Sequence, residues 1–393
     1  MKPRNKITFA KEQKYLKVKL LDFASQYRKI RSEVIREITA VCDSQHFVLG
    51  KNVAALEEEI ASFCGAKYAV GVASGTDALI LALKAAGVGA GDKVITTAFT
   101  FFASAGAIAM AGARPVFVDI DPATFNMDPA RLEAQLKRDS KGVVAVMPVH
   151  LYGQCAGMDE INRLARKYGL KVIEDAAQSI GAAYKGAVAG SLGDMGCFSF
   201  YPTKNLGCFG DGGMVTTNNA KFAERLRMLR GHGSRKRYYH EFVGTNSRLD
   251  ELQAAVLRVK MKYIEQWTEA RIRNGHRYDE LFRKAGIAEV ITPRVGEGQK
   301  MVYNQYVIRA KKRDKLRAHL AGAGVGSEIY YPLCLHQQKC FKDLGYKKGS
   351  LPEAEKAARE VLALPIYPEL KPAEQKYVVD SIASFYQKVE GAR

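Results

Sequence analysis

Lys204 stands between a short apolar run and a glycine-rich turn, in Phe198-Ser199-Phe200-Tyr201-Pro202-Thr203-Lys204-Asn205-Leu206-Gly207 followed by Cys208-Phe209-Gly210-Asp211-Gly212-Gly213. A lysine so placed can form a Schiff base with an aldehyde. Ser199, five residues earlier, can hold a phosphate through its hydroxyl. An aldehyde and a phosphate on one ligand describe pyridoxal 5'-phosphate (PLP), so this stretch reads as a cofactor anchor. One lysine in so basic a chain proves nothing alone. Three upstream stretches supply the rest of a site.

The first is Ala73-Ser74-Gly75-Thr76-Asp77-Ala78-Leu79, which follows an apolar run and opens a helical pattern. Glycine lets the backbone approach an anion, and the first free N–H groups of a helix point at it. Thr76 adds a hydroxyl at the same end. The second is Val172-Ile173-Glu174-Asp175-Ala176-Ala177-Gln178, a strand ending in two carboxylates. A carboxylate there can pair with a protonated pyridine nitrogen, and Gln178 can donate to a ring hydroxyl. Periodicity does not decide between Glu174 and Asp175. The third is Ala98-Phe99-Thr100-Phe101-Phe102-Ala103-Ser104, where one aromatic can stack on a flat ring while another is core.

The elements that must position these residues are legible from about residue 67 to 217. Apolar runs at 68–72, 93–96, 115–118, 143–147, 171–174, 196–200 and 213–217 alternate with helical patterns at 76–86, 103–111, 129–137 and 158–167. Continuous apolar strands, most followed by a helix, predict an α/β unit with a mostly parallel sheet covered on both faces. In such a sheet, ligands bind beyond the carboxyl ends of the strands, where all four stretches fall. After Asp250 the spacing predicts one long helix to about Phe282, strands at 303–309 and 327–331, and helices at 313–323, 353–362 and 372–387. The domains expected are a basic extension (1–20), a large unit (21–265) and a smaller C-terminal α+β unit (266–393).

Composition narrows the function classes. The chain has 393 residues, 47% of them hydrophobic, and a formal charge of +19. No window of 18 apolar residues occurs, so no membrane partner is expected. Seven cysteines in no paired motif predict reduced thiols and a cytoplasmic protein, with neither disulfides nor a zinc site. Basic clusters at 2–19, 225–237 and 309–317 come without a nucleic-acid module. They predict a surface that gathers anionic small molecules or simply solvates the protein, not a nucleic-acid binder.

The ordered motifs SGT, TFFAS, EDAAQ, SFYPTKNLG and Gly244-Thr245-Asn246-Ser247-Arg248-Leu249-Asp250-Glu251-Leu252-Gln253-Ala254-Ala255 resemble those of the DegT/DnrJ/EryC1/StrS sugar aminotransferases, from about Leu21 to the C-terminus. The resemblance implies PLP fold type I, as in aspartate aminotransferase. It also implies that Lys204 bears the cofactor, Asp175 meets the pyridine nitrogen, Gln178 contacts the ring oxygen and Phe101 stacks on the ring. Gly75, Thr76 and Ser199 would bind the phosphate. Asn246 would come from the neighbouring subunit of an obligate homodimer with composite sites. Many members carry histidine in the segment matching residues 302–306; Asn304 stands here and is given no proton-transfer role. Some relatives replace the lysine with histidine and carry out dehydration, so Lys204 favours transamination.

The resemblance implies a reaction that moves an amino group from L-glutamate to a keto-sugar, which in one site would run as two ping-pong half-reactions with freed Lys204 as general base. The sugar is expected on a nucleoside diphosphate, whose phosphates need cations; residues 231–237, with His232, and Arg248 are the candidates. Tyr330-Tyr331-Pro332-Leu333-Cys334-Leu335-His336 resembles the substrate-side segment of members acting on 3-keto sugars. Tyr330, Tyr331 and His336 are therefore candidate substrate contacts, and C3 is favoured over C4. The alternatives are amination of a cyclitol ketone, which needs no nucleotide, another PLP reaction such as dehydration or desulfuration, and a DNA-binding regulator without cofactor.

Overall fold

The computed structural model describes residues 16–390. Its main sheet has seven strands in the order Tyr68–Val72, Gly213–Thr217, Met195–Ser199, Lys171–Asp175, Val143–Val146, Lys93–Thr97 and Arg114–Val118. All run parallel except Gly213–Thr217, which is antiparallel to both its neighbours. Alternate residues of each strand face opposite sides. Ile173, Cys197 and Val215 join the core under helices Gly75–Ala85, Ala103–Met110 and Ala220–Leu229. Val172, Phe198 and Met214 face the other layer, with helices Lys51–Cys64, Pro129–Arg138, Met158–Tyr168 and Glu251–Met261. Both faces are buried, which is why the strands read as unbroken apolar runs.

Register sets the site. Asp175 pairs with Cys197, and Ser199 with Gly213, so the strand ends carrying Asp175 and Ser199 lie close together.

A second sheet, Val290–Ile291, Tyr306–Ala310 and Val361–Leu364, is antiparallel and packs with helices Arg313–Gly322, Pro352–Glu360 and Pro372–Glu390. Buried Asp119, past the edge strand of the main sheet, ties the two together. Its carboxylate accepts from the N–H groups of Glu353 (3.0 Å) and Ala354 (2.8 Å), in the first turn of Pro352–Glu360. A carboxylate at that position also suits the positive end of the helix.

Four expectations change. The long helix is two, Glu251–Met261 and Ile264–Ala285. Residues 327–331 form no strand, only a bridge from Glu328 to Ala363. The helix at 353–362 stops at Glu360, and its last residues begin the strand Val361–Leu364. Of the expected extension, residues 1–15 lie outside the described part, but Val18 does not hang free. It is buried, donates to the Gly324 carbonyl (3.0 Å) and accepts from Gly326 (2.8 Å). No helix among the described residues is long and apolar enough to cross a membrane. The seven cysteines are unpaired.

Candidate active site

The four sequence stretches meet around a cavity of about 590 Å³ beyond the carboxyl ends of the central strands. Gly75, Thr76, Phe101, Asp175, Gln178, Ser199, Lys204, Tyr330 and Tyr331 all line it.

One end is a phosphate cradle. Ser74 caps helix Gly75–Ala85 by accepting from Asp77 N–H (3.1 Å), and Ala78 N–H is bonded to the Ser74 carbonyl (2.9 Å). The N–H groups of Gly75 and Thr76 are left for an anion. A Cβ on Gly75 would sit 2.5 Å from the Cβ of Ser199, so only glycine allows this approach. Ser199 Oγ accepts from Tyr201 N–H (3.3 Å), which leaves its proton to donate into the cavity. Asp77, in the first turn of the helix, is turned aside: its Oδ2 accepts from Ser247 Oγ at 2.8 Å.

The strand end resolves the ambiguity between the two carboxylates. Glu174 is fully buried beneath the site and saturated. One oxygen accepts from Leu192 and Gly193 N–H (2.8 and 2.7 Å); the other takes Gly190 N–H (2.7 Å) and His150 Nε2 (2.9 Å). His150 Nδ1 accepts from Ala156 N–H (3.1 Å), so its proton sits on Nε2 and points at Glu174. Asp175 alone faces the cavity. Burial pushes its carboxyl above the ordinary range, opposed by Ser104, Ala177 N–H and Lys204. Ser104 Oγ donates to Asp175 Oδ2 across 2.6 Å and leaves the other oxygen toward the cavity. A protonated ring nitrogen would supply the cation that this buried acid lacks.

Lys204 sits in a turn in which its N–H donates to the Tyr201 carbonyl (2.9 Å). Desolvation lowers its ammonium to about 8, with Asp175 pulling the other way. A near-neutral amine, an acid for a pyridinium and a phosphate cradle within one cavity match the three ends of PLP.

The remaining candidates divide. Phe101, 57% exposed, presents its ring to the cavity 6.0 Å from that of Tyr331. Gln178 is already engaged: Oε1 accepts from Tyr152 N–H (2.7 Å) and Nε2 donates to the Tyr331 hydroxyl (3.1 Å). One amide proton is left for a ring oxygen. Burial, chiefly, and Asp175 raise Tyr331, so it stays a phenol.

His336 is a correction. It is buried (3% exposed), does not line the cavity and shares a hydrogen bond with Glu355 (3.1 Å). The buried apolar neighbours Cys334 and Leu335 pull it into the C-terminal core. His232 is exposed, and neither it nor Arg248 lines the cavity. Asn246 is likewise exposed, its backbone bridged to Gly231, outside the cavity of its own chain. Spacing gives no role to Ser104, the partner of Asp175, although it ends the TFFAS stretch. Nor does spacing single out His150, Tyr201, Thr203, Asp211 and Gln305; the last four line the cavity.

The fold and this cavity define a PLP-dependent aminotransferase of fold type I. The chain belongs to the DegT/DnrJ/EryC1/StrS aminotransferase family, whose family model matches residues 28–383. It is 52% identical to a "pleiotropic regulatory protein" of Geobacillus stearothermophilus, over 95% of this chain and 99% of the relative. It is 42% identical to a UDP-2-acetamido-2-deoxy-3-oxo-D-glucuronate aminotransferase of Pseudomonas aeruginosa, over 93% of this chain and all of the relative. Among solved structures, Streptomyces venezuelae DesV in complex with a ketimine intermediate superposes with a TM-score of 0.91. It is 41% identical, over 94% of this chain and 98% of that one.

Proposed function

We propose that this protein transfers the amino group of L-glutamate to C3 of a keto-hexose carried on a nucleoside diphosphate. The observation that carries the reading is the convergence of Lys204, Asp175 and the Gly75–Thr76–Ser199 cradle on one cavity. The choice of C3 draws on the 3-oxo-glucuronate aminotransferase at 42% identity and on Tyr330 and Tyr331 in the cavity wall. The name of the Geobacillus relative speaks of regulation; a site built for a cofactor speaks for catalysis.

When bound, the cofactor supplies an electron sink for the pair left behind as a proton leaves the carbon bearing nitrogen. Gly75, Thr76 and Ser199 hold its phosphate. Asp175, ionised and steadied by Ser104, keeps the ring nitrogen protonated. Phe101 would offer its ring to the cofactor and Gln178 its remaining amide proton. Lys204, its ammonium lowered to about 8, would take the α-proton of glutamate in its neutral form and deliver a proton to the carbon on the far side of the bridging nitrogen. The same groups work in reverse on the sugar.

The reading includes a homodimer. Apart from Lys204, no cation among the described residues lines the cavity, yet two carboxylates or a diphosphate must be held there in turn. Arg235, Lys236 and Arg237 stand on an exposed hairpin with Tyr238 (77% exposed) and Tyr239. Phe47, Val48, Leu49 and Phe209 are further apolar side chains exposed on the same unit. In this reading a second copy covers these residues and brings the hairpin, His232, Arg248 and Asn246 to the cavity. Residues 21–265 then carry the cofactor and 266–393 the substrate wall. The reaction belongs in the cytoplasm, where seven free thiols persist.

The test is to add glutamate to the PLP-loaded protein and follow absorbance, then add UDP- or dTDP-linked 3-keto hexoses and detect the amine by mass spectrometry. Loss of the cofactor band with glutamate and its return with one of the sugars is expected. A band indifferent to glutamate would sink the reading.

A further inference from the structure

Asn304 and Gln305 lie in the segment to which the cofactor roles assign nothing. Asn304 is buried, and its Nδ2 donates to Gln305 Oε1 across 2.7 Å. The backbone N–H of Asn304 is tied to the Tyr152 carbonyl (3.0 Å), and the Tyr152 hydroxyl donates to the Tyr330 carbonyl. Gln305 therefore stands on the same cross-linked wall as Tyr330 and Tyr331, half-buried and lining the cavity. With Oε1 engaged, the amide offers the cavity its Nε2, which has two protons and no lone pair to accept with.

We propose that Gln305, oriented by Asn304, is a specificity-determining residue that donates a hydrogen bond to an oxygen on the sugar beside the reacting carbonyl. The proposal rests on the functional reading above. Two observations direct it to the sugar and not to glutamate. A neutral amide is a weak partner for carboxylates, which call for charge-assisted donors, but it suits a hydroxyl or acyl oxygen. A donor that would stand unpaired in the wall also discriminates sharply against substrates lacking the oxygen. Asn304 adds a third point. Its Oδ1 is buried with no partner among the described residues, a cost that an apolar side chain of similar size would avoid. Keeping an amide there fits a task performed by its Nδ2.

The test separates the two half-reactions in the PLP-loaded enzyme. Gln305→Ala should convert with glutamate within about twofold of the parent. Its aminated form should discharge about ten- to a hundredfold more slowly with a subsaturating UDP-linked 2-acetamido-3-keto hexuronate. Gln305→Glu keeps the shape but removes the donor and should lose as much. Asn304→Leu should show the same selective loss, with a melting curve confirming that it folds. Calorimetry gives a readout without turnover: Gln305→Ala should bind UDP as the parent does and lose about tenfold in affinity for UDP-N-acetylglucosamine. Equal losses in both half-reactions, no loss in either, or a Gln305→Glu enzyme that matches the parent would overturn the proposal. A parent enzyme that fails with glutamate overturns the functional reading itself, and this inference with it.

Discussion

His150 Nε2 meets Glu174 Oε2 at 2.9 Å with both side chains fully buried, while the next residue on the strand, Asp175, faces the opposite way and lines the cavity. Adjacent acids therefore have opposite duties. Glu174 is an anchor for the 190–193 loop; Asp175 is the charge available to a ligand.

Substitution should separate them. In Glu174→Gln an amide group faces backbone N–H donors that now lack acceptors, and unfolding free energy should fall by about 2–4 kcal/mol. Asp175→Asn removes a carboxyl whose charged form burial already disfavours, so the apoprotein should melt at or above the parent temperature. Its glutamate half-reaction should nonetheless fall by at least about a hundredfold. Melting curves and single-turnover absorbance read the two effects separately. Equal melting losses in both variants would refute the division of roles.

Ser104 should act through Asp175. Its hydroxyl donates to Oδ2 and pulls that carboxyl downward against burial. Ser104→Ala removes the pull, so the carboxyl titrates higher. The ionised form is the working one, and activity should therefore be lost at a higher pH as the solution is acidified. We expect the loss to deepen as pH falls and to narrow as pH rises. A rate profile displaced by the same factor at every pH would contradict this.

How much of this was legible in the sequence depends on range. Tyr68–Val72 and Gly213–Thr217 were read at their true limits because short apolar runs bounded by glycine and polar residues have few alternatives. The break between Met261 and Ile264 left no trace, since Lys262 and Tyr263 carry neither glycine nor proline. The first half of Val361–Leu364 reads as the end of a helix because a four-residue apolar run has no period of its own. The site's motifs were readable because each is local to one strand end. The contacts that orient them were not: His150 with Glu174 spans 24 positions and Tyr152 with Tyr330 spans 178. No spacing rule reaches that far.

Lys204 gives the cofactor site a pH signature. Its amine attacks only when neutral, and desolvation sets its ammonium near 8. Capture of PLP by the apoprotein should therefore slow by about tenfold per pH unit below 8 and level off above it. Lys204→Ala should show no covalent capture at any pH. A flat rate from pH 6 to 9 in the parent would show that the amine is not poised as described.

Gly75 is set by contact with Ser199, so Gly75→Ala should be costly at this one place. The added Cβ would lie 2.5 Å from the serine Cβ and 3.1 Å from its Cα, forcing the cradle open. Cofactor affinity should fall about ten- to a hundredfold, as overpacking by one methyl group costs about 1–3 kcal/mol. Adding Ser199→Gly removes the nearer atoms and should recover part of the loss. Equilibrium dialysis against PLP measures both variants. A double variant no better than Gly75→Ala, after allowance for the loss that Ser199→Gly shows alone, would mean that the strain lies elsewhere.

Composite sites can be tested by mixing two inactive chains. Lys204→Ala spoils the site on its own chain, whereas a defect at Asn246, such as Asn246→Asp, would spoil the site of the partner. Unfolding and refolding an equal mixture yields about half mixed dimers by random pairing in a two-fold assembly. Within a mixed dimer both defects fall on one site, and the other site receives Lys204 from one chain and Asn246 from its partner. About a quarter of the parent activity should therefore return, being one intact site of two in half of the dimers. If Asn246 served the cavity of its own chain instead, every site would carry one defect and the mixture would stay inactive.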